Sequence, residues 1–161
     1  MQIHILGLNR SENGQVSALE FVPKIPTYVI RVWSEFQPPA ERERYSLQSN
    51  PNFKVIREYT FDDISPDYPH QDFSGKGTLF TSSIAERVIK DFEKDHIDCE
   101  ALLVHCLLGR NRSPAVAIAL NKIFKLGNDS EKLKGQYKGL NYHIYGVLLS
   151  KAKELGREFE M

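Results

Sequence analysis

Apolar and β-branched residues gather in four short segments of the chain. These segments are Gln2–Leu6, Thr27–Trp33, Val55–Phe61 and Ala101–His105. Short runs of this composition predict β-strands, because β-branched and aromatic side chains pack well on a pleated surface. Ala101–His105 is apolar up to its last residue, which predicts a strand buried on both faces near the centre of a sheet.

Three longer segments repeat their apolar residues every three or four positions, a period that is typical of amphipathic helices. The first begins at Ser82 or Ser83, since either hydroxyl suits an N-cap. The second begins near Ser113 and ends at Gly127-Asn128, residues that favour helix termination. The third covers Tyr142–Leu155.

Other segments show weaker patterns. A polar helix or turn is expected around Ser130–Lys138, and the charged run at 41–44 is expected to face solvent. Ile64–Ser82 contains prolines and glycines and follows no helical or alternating period. An irregular stretch of this length predicts a lid, a binding loop or a disordered segment.

Strands that alternate with helices in the middle of the chain predict an α/β fold. We expect a single domain over residues 1–161, with a central, mostly parallel sheet of four to five strands flanked by helices. Ligands bind such sheets at the carboxyl ends of central strands. The loop at 106–112 follows Ala101–His105, so it is the predicted site.

Charge and hydropathy narrow the classes of partner. The formal net charge of the 161 residues is zero, so no overall field attracts nucleic acid or an anionic membrane. The sequence lacks an apolar run long enough to span a bilayer, and Met1–Leu8 lacks the basic region of a signal peptide. We therefore expect a cytoplasmic protein with no nucleic-acid or membrane partner.

The two cysteines do not form a disulfide framework. Cys99 and Cys106 lie seven residues apart along one extended segment, which places their Cα atoms roughly 23 Å apart. This separation is far beyond disulfide reach. Cys106 is therefore predicted to be an unpaired thiol, and reduced cysteines fit the cytosol.

The loop at 106–112 begins with a cysteine and closes with an arginine. A helix N-terminus, converging backbone N–H groups and a nearby guanidinium each favour the thiolate form of a cysteine. Gly109 allows a positive φ or a close backbone approach, and Arg112 can donate two parallel hydrogen bonds to phosphate oxygens. The pattern predicts a nucleophilic Cys106 inside an anion-binding loop.

His105-Cys106, Gly109 and Arg112-Ser113 resemble the His-Cys-x-x-Gly-x-x-Arg-Ser/Thr signature of cysteine-dependent protein tyrosine phosphatases, nearest the small dual-specificity type. The resemblance implies a protein-tyrosine-phosphatase-like fold, with Cys106 as the nucleophile and Arg112 as the clamp on substrate and transition state. It also implies that Ser113 helps the thiolate to leave and that His105 orients the loop and favours the thiolate. The substrate phosphate would be bound by Leu107, Leu108, Gly109, Arg110, Asn111 and Arg112.

The general acid of this family is an aspartate on the loop after the preceding strand. The resemblance therefore implies Asp63, with Asp62 second and Asp67 third. Arg110 adds positive charge to the loop. Its guanidinium either favours a more anionic substrate, or points into solvent or pairs with a carboxylate. The histidines show no metal-ligand spacing, so we expect neither a metal nor another cofactor.

The implied reaction is hydrolysis of a phosphate monoester through a cysteinyl-phosphate, by a monomeric protein tyrosine or dual-specificity phosphatase acting on a phosphoprotein. Two alternatives remain open: a catalytically silent phosphate-binding module, and a phosphatase of a phosphoinositide, nucleotide or RNA end. Another thiol enzyme, such as a sulfur transferase or arsenate reductase, ranks last. Those related to low-molecular-weight phosphatases carry the loop near the N-terminus, with the acid downstream.

Overall fold

Four strands of the computed structural model, which describes residues 1–11, 14–66 and 77–160, form one sheet. They are β1 (Gln2–Leu6), β2 (Thr27–Trp33), β3 (Phe53–Thr60) and β4 (Ala101–His105). Their spatial order is β1-β4-β2-β3, and every neighbouring pair is parallel. The prediction of an α/β fold is confirmed, with four strands in the part of the chain that is described.

Within the described residues, five helices connect and cover these strands. They are α1 (Pro39–Arg42), α2 (Ser82–Asp95), α3 (Arg112–Phe124), α4 (Ser130–Gln136) and α5 (Tyr142–Glu154), and a 3₁₀ turn (Glu43–Tyr45) follows α1. The hydroxyl of Thr81 accepts the N–H of Ile84, so the cap of α2 is Thr81 and not Ser82 or Ser83. Thr81 has the extended backbone that an N-cap requires, whereas Ser82 already lies inside the helix.

The strand β3 lies at the edge of the sheet. It begins two residues before the start of the predicted segment Val55–Phe61 and ends one residue before the end of that segment. Most of β3 alternates between exposed and half-buried residues, because only one of its faces packs against the core. β4 lies between β1 and β2, and all five of its residues are buried. This position explains why Ala101–His105 has an almost continuous apolar sequence.

The two faces of the sheet are covered differently. The long helices α2, α3 and α5 pack on one face, where Ile30, Leu102 and Val104 belong to the main core. On the opposite face Val29 and Leu103 pack against Ala18, Phe21 and Leu47, which lie outside helices and strands. The sheet therefore has a thick helical layer on one side and mainly irregular chain on the other. Among the described residues, none of the helices is long and apolar enough to cross a membrane.

Candidate active site

The loop at 106–111 leaves the carboxyl end of β4 and enters α3 at Arg112. Gly109 has a φ of 71°, a conformation that side chains with a Cβ disfavour. The structure thus places the cysteine and the arginine of the predicted loop at a buried strand end and a helix start. This is where backbone N–H groups attract an anion.

The segment after β1 packs directly on this loop. A Cβ on Gly7 would lie 2.8 Å from the carbonyl carbon of Leu108, and one on Gly109 would lie 2.7 Å from the nitrogen of Gly7. The N–H of Leu8 donates to the carbonyl oxygen of Leu107 at 3.0 Å. Two glycines are therefore required for the backbones to touch. Sequence reasoning missed Gly7, although a glycine directly after a strand was the available signal.

The sulfur of Cys106 is buried and has two polar neighbours. The N–H of Gly109 donates to Sγ at 3.2 Å, and Oγ of Ser113 lies 3.1 Å from the same sulfur. Cys106 is only 2% exposed, and Ser113 is fully buried. An N–H and a hydroxyl directed at one sulfur are the contacts that stabilise a thiolate.

Arg112 is held in place from behind. Its Nη1 donates to Oγ of Ser34 at 2.6 Å and to the carbonyl oxygen of Phe61 at 3.0 Å. The guanidinium is buried and lines the same cavity as Cys106. These bonds connect the loop to the ends of β2 and β3. The role of Ser34 was not predicted, because only the sheet brings it to Arg112.

His105 lies behind the loop, completely buried. Its Nε2 accepts a hydrogen bond from Nε of Arg31 at 2.8 Å, and its Nδ1 lies 3.4 Å from the carbonyl oxygen of Cys106. Burial, and next the positive charge of Arg31, lower the pKa of His105 to about 3. The imidazole is therefore neutral at ordinary pH, and it does not act on the thiol as a cation.

Asp62 and Asp63 both line the cavity but have different partners. Asp62 is buried, and its two carboxylate oxygens accept the backbone N–H groups of Thr78 at 2.7 Å and Glu35 at 3.3 Å. It also donates its own N–H to the carbonyl of Thr78. Asp62 therefore joins the ends of two loops.

Asp63 is half-buried, and its carboxylate is bound by two side-chain amides. Nδ2 of Asn111 donates to one oxygen at 2.6 Å, and Nδ2 of Asn141 donates to the other at 2.9 Å. Asn141 also caps α5, since its Oδ1 accepts the N–H of Ile144. The sequence indicated Asn141 only as a helix cap. The third candidate for the acid, Asp67, lies outside the described residues.

The residues predicted to bind phosphate divide between two neighbouring depressions. Leu107, Leu108 and Asn111 line a cavity of about 420 Å³ together with Cys106 and Arg112. The rim of this cavity also includes Phe36, and the side chains of Phe36 and Leu108 are more than half exposed. Arg110 lies instead beside an adjacent depression that Lys138 and Gln15 also line.

Within the described ranges, no three His, Cys, Asp or Glu side chains are placed to hold a metal ion together. Cys99 and Cys106 are both free.

Comparisons with known proteins found similarity only among solved structures: no family model and no curated protein matched. One solved structure is PTPMT1 in complex with PI(5)P, with 14% identity over 81% of this chain and 78% of that chain, and a TM-score of 0.44. Another is Tk-PTP in the active form, with 14% identity over 79% and 78% of the two chains and a TM-score of 0.44. Likeness of this size establishes neither a family nor a function, and the chemistry rests on the site itself.

Proposed function

We propose that this protein hydrolyses phosphate monoesters through a cysteinyl-phosphate formed on Cys106. The observation that carries the proposal is that Cys106, Arg112 and Asp63 line one cavity. The sulfur of Cys106 contacts the N–H of Gly109 and the hydroxyl of Ser113, while Arg112 and Asp63 line the same space. These groups supply a nucleophile, an anion cradle and an acid, which are the parts that phosphoryl transfer needs.

In the first step the thiolate of Cys106 attacks the phosphorus atom. An S–P bond forms, the ester P–O bond breaks, and the leaving oxygen takes a proton from the carboxylic acid of Asp63. Arg112 and the N–H groups of the loop bind the equatorial oxygens, where charge is concentrated in the transition state. Because Nη1 of Arg112 is anchored on Ser34 and Phe61, the guanidinium is already oriented before substrate arrives.

In the second step water attacks the phosphorus atom of the cysteinyl-phosphate. The carboxylate of Asp63 takes a proton from this water, the S–P bond breaks, and inorganic phosphate and the thiolate of Cys106 are released. The hydroxyl of Ser113, 3.1 Å from the sulfur, stabilises the departing thiolate. Asp63 thus acts first as an acid and then as a base.

Hydrogen bonding supports Asp63 over Asp62 as the acid. A catalytic acid must carry a proton for part of the cycle, and fixed donors to both carboxylate oxygens favour the ionised form. Rotation of the Asn111 amide presents its carbonyl oxygen to a protonated Asp63. The backbone N–H groups of Thr78 and Glu35 that bind Asp62 can only donate.

The rim of the cavity supports an aromatic phosphate ester, and we propose phosphotyrosine in a protein as the substrate. Phe36 is 55% exposed and Leu108 is 58% exposed, and both line the cavity that contains Cys106. Exposed apolar side chains beside a phosphate site stabilise a leaving group with an apolar ring more than a small polar one. The free thiols of Cys99 and Cys106 are compatible with action in a reducing compartment.

The test compares two cysteine variants on a panel of substrates: an aryl phosphate, phosphotyrosine and phosphoserine peptides, a phosphoinositide and a nucleotide. Cys106→Ser should abolish turnover on all of them, because a hydroxyl is a far weaker nucleophile at neutral pH. Cys99→Ser is the matched control, since Cys99 is a free, buried thiol before the same strand. It should keep wild-type activity.

Rapid quenching of the wild-type reaction should yield phosphate bound covalently to the peptide that contains Cys106. Full turnover by Cys106→Ser would contradict the proposed mechanism. If the wild type hydrolysed none of the substrates but retained a phosphopeptide in an Arg112-dependent manner, the chain would be a phosphate-binding module. Faster turnover of the phosphoinositide than of phosphotyrosine would contradict the proposed substrate but not the mechanism.

A further inference from the structure

A buried arginine lies behind the nucleophilic loop. Arg31 is 7% exposed and occupies β2 at the position that pairs with His105 of β4. Its Nε donates to Nε2 of His105 at 2.8 Å, and its Nη2 donates to the carbonyl oxygen of Tyr45. The guanidinium also lies 4.7 Å from the ring centre of Trp33.

This arginine is only weakly compensated by negative charge. The nearest carboxylate in the described chain belongs to Glu58, 3.7 Å away, and its side chain is half exposed. Burial of a guanidinium costs free energy that apolar residues of similar size avoid. The position of Arg31 is therefore better explained by what it does to His105 than by a contribution to folding.

The contact with Arg31 determines where His105 carries its proton. An arginine Nε–H can only donate, so Nε2 of the imidazole must present a lone pair. A neutral imidazole then carries its hydrogen on Nδ1, and that nitrogen faces the carbonyl oxygen of Cys106 at 3.4 Å. Arg31 thus converts His105 into a donor toward the backbone of the nucleophile.

Orienting this carbonyl also orients the next amide. The described chain has no cis peptide bonds, and in a trans peptide the C=O and N–H groups point in opposite directions. The carbonyl of Cys106 faces His105, so the N–H of Leu107 points away from the imidazole. Leu107 lines the cavity next to Cys106. His105 therefore fixes the direction of the Leu107 N–H, which is the first N–H of the anion-binding loop.

We propose that Arg31 is a positioning residue for the nucleophilic loop: it fixes the Nδ1–H tautomer of His105 and thereby the peptide between Cys106 and Leu107. This role deepens the proposed phosphatase function and rests on it. Arg31 also adds a buried positive charge behind the loop, while the buried charge of Arg112 lies at the cavity. The charged groups around the imidazole are thus Arg31 from β2, Arg112 from α3 and Glu58 of β3 behind Arg31.

The experiment replaces Arg31 in the full chain and measures His105 directly. In Arg31→Met, ¹⁵N NMR of the imidazole should show a mixture of tautomers, whereas the wild type should show Nδ1–H alone between pH 6 and pH 8. The rate at which iodoacetamide alkylates Cys106 at pH 7 should fall about tenfold, because the peptide after Cys106 is no longer held in one orientation. The value of kcat should fall by a similar factor.

Two variants serve as controls. Glu58→Gln removes the carboxylate beside Arg31 but keeps the bond to His105, so the tautomer and the alkylation rate should stay as in the wild type. Arg57→Met removes an arginine of the adjacent strand that pairs with Asp95, away from the loop, and should leave both readouts unchanged. If Arg31→Met does not fold, Arg31→Gln fills the position with an amide that can either donate or accept. It should still show mixed tautomers.

A pure Nδ1–H tautomer together with wild-type alkylation in Arg31→Met or Arg31→Gln would overturn the inference. Both readouts are independent of any phosphate ester. If the wild type hydrolysed no substrate and the tautomer still depended on Arg31, the proposed function would fail while the positioning role would stand. If hydrolysis through Cys106 held and the tautomer did not depend on Arg31, only the positioning role would fail.

Discussion

Two adjacent aspartates at the end of β3 differ in the kind of donor that binds them. Backbone N–H groups hold Asp62, whereas the side-chain amides of Asn111 and Asn141 hold Asp63. Backbone donors are fixed by the fold, but a side-chain amide can rotate or exchange partners. The chemistry of one residue therefore depends on which loops reach it.

Replacing each aspartate by asparagine should separate the two roles. Asp63→Asn should lower kcat about 100- to 10,000-fold, with the larger loss on alkyl phosphates, because their leaving oxygen needs a proton more than that of an aryl phosphate. Asp62→Asn turns an NH₂ group toward a backbone donor and should destabilise the fold by about 1–3 kcal/mol. Steady-state kinetics and urea unfolding measure the two effects.

The opposite pattern would assign the acid to Asp62. A large leaving-group-dependent loss in Asp62→Asn, with ordinary kinetics in Asp63→Asn, would contradict the assignment. The free energy of unfolding of Asp63→Asn should change little, since rotation of the Asn111 amide can satisfy the new side chain.

At the scale of elements, the catalytic loop is supported by the turn after β1 as well as by its own strand and helix. Gly7 and Gly109 touch through their backbones, and the N–H of Leu8 bonds the carbonyl oxygen of Leu107. β1 pairs with β4, so the two strand ends arrive together. Packing between these turns keeps the loop amides in register.

Gly7→Ala should therefore damage activity more than stability. The added methyl group would lie 2.8–2.9 Å from backbone atoms of Leu107 and Leu108, so the loop must shift. A shift of about 1 Å at a catalytic loop costs up to about 100-fold in rate, and we expect kcat/KM to fall about 10- to 100-fold. Kinetics and circular dichroism test this together.

Gly146 provides the matched control for this substitution. It lies inside α5, and an added Cβ would have no heavy atom within 4 Å. Gly146→Ala should stabilise the protein by about 0.5–1 kcal/mol, since alanine favours a helix interior, and should leave kcat/KM unchanged. Equal activity losses in the two variants would contradict a specific role for Gly7.

At the scale of the whole molecule, the buried site couples stability to pH. Burial and the charge of Arg31 lower the pKa of His105 to about 3 in the folded chain, from an ordinary value of 6.5. Between these two values the unfolded chain binds one more proton at His105 than the folded chain. The contribution of His105 to the free energy of unfolding is therefore fully present above pH 6.5, and it is lost as the pH falls toward 3.

The expected slope is about 1.4 kcal/mol of unfolding free energy for each pH unit below 6.5. His105→Gln should reduce the acid sensitivity by this amount, because glutamine does not titrate. Chemical denaturation at a series of pH values between 4 and 8 measures both proteins. Identical pH dependence in wild type and His105→Gln would show that His105 is not kept neutral by the fold.

Most of the architecture followed from local patterns. Ala101–His105 has an almost continuous apolar sequence because β4 lies between two parallel strands. A strand that is buried on both faces can be recognised from its apolar composition alone. Helix ends were less exact: the cap of α2 is Thr81, and α3 begins at Arg112. The apolar period does not distinguish a cap from the first residue of a helix, so boundaries moved by a residue or two.

By itself, the sequence determined the α/β class and the loop from Cys106 to Arg112, since both depend on residues that are close along the chain. Only the tertiary structure brought Ser34 to Arg112, Asn141 to Asp63 and Arg31 to His105. These partners are 74 to 78 residues apart in sequence, and no local pattern records which strand ends and helix starts will meet. The nucleophile can therefore be predicted from the residues next to it in the chain, whereas the residues that position the site can be identified only from the fold.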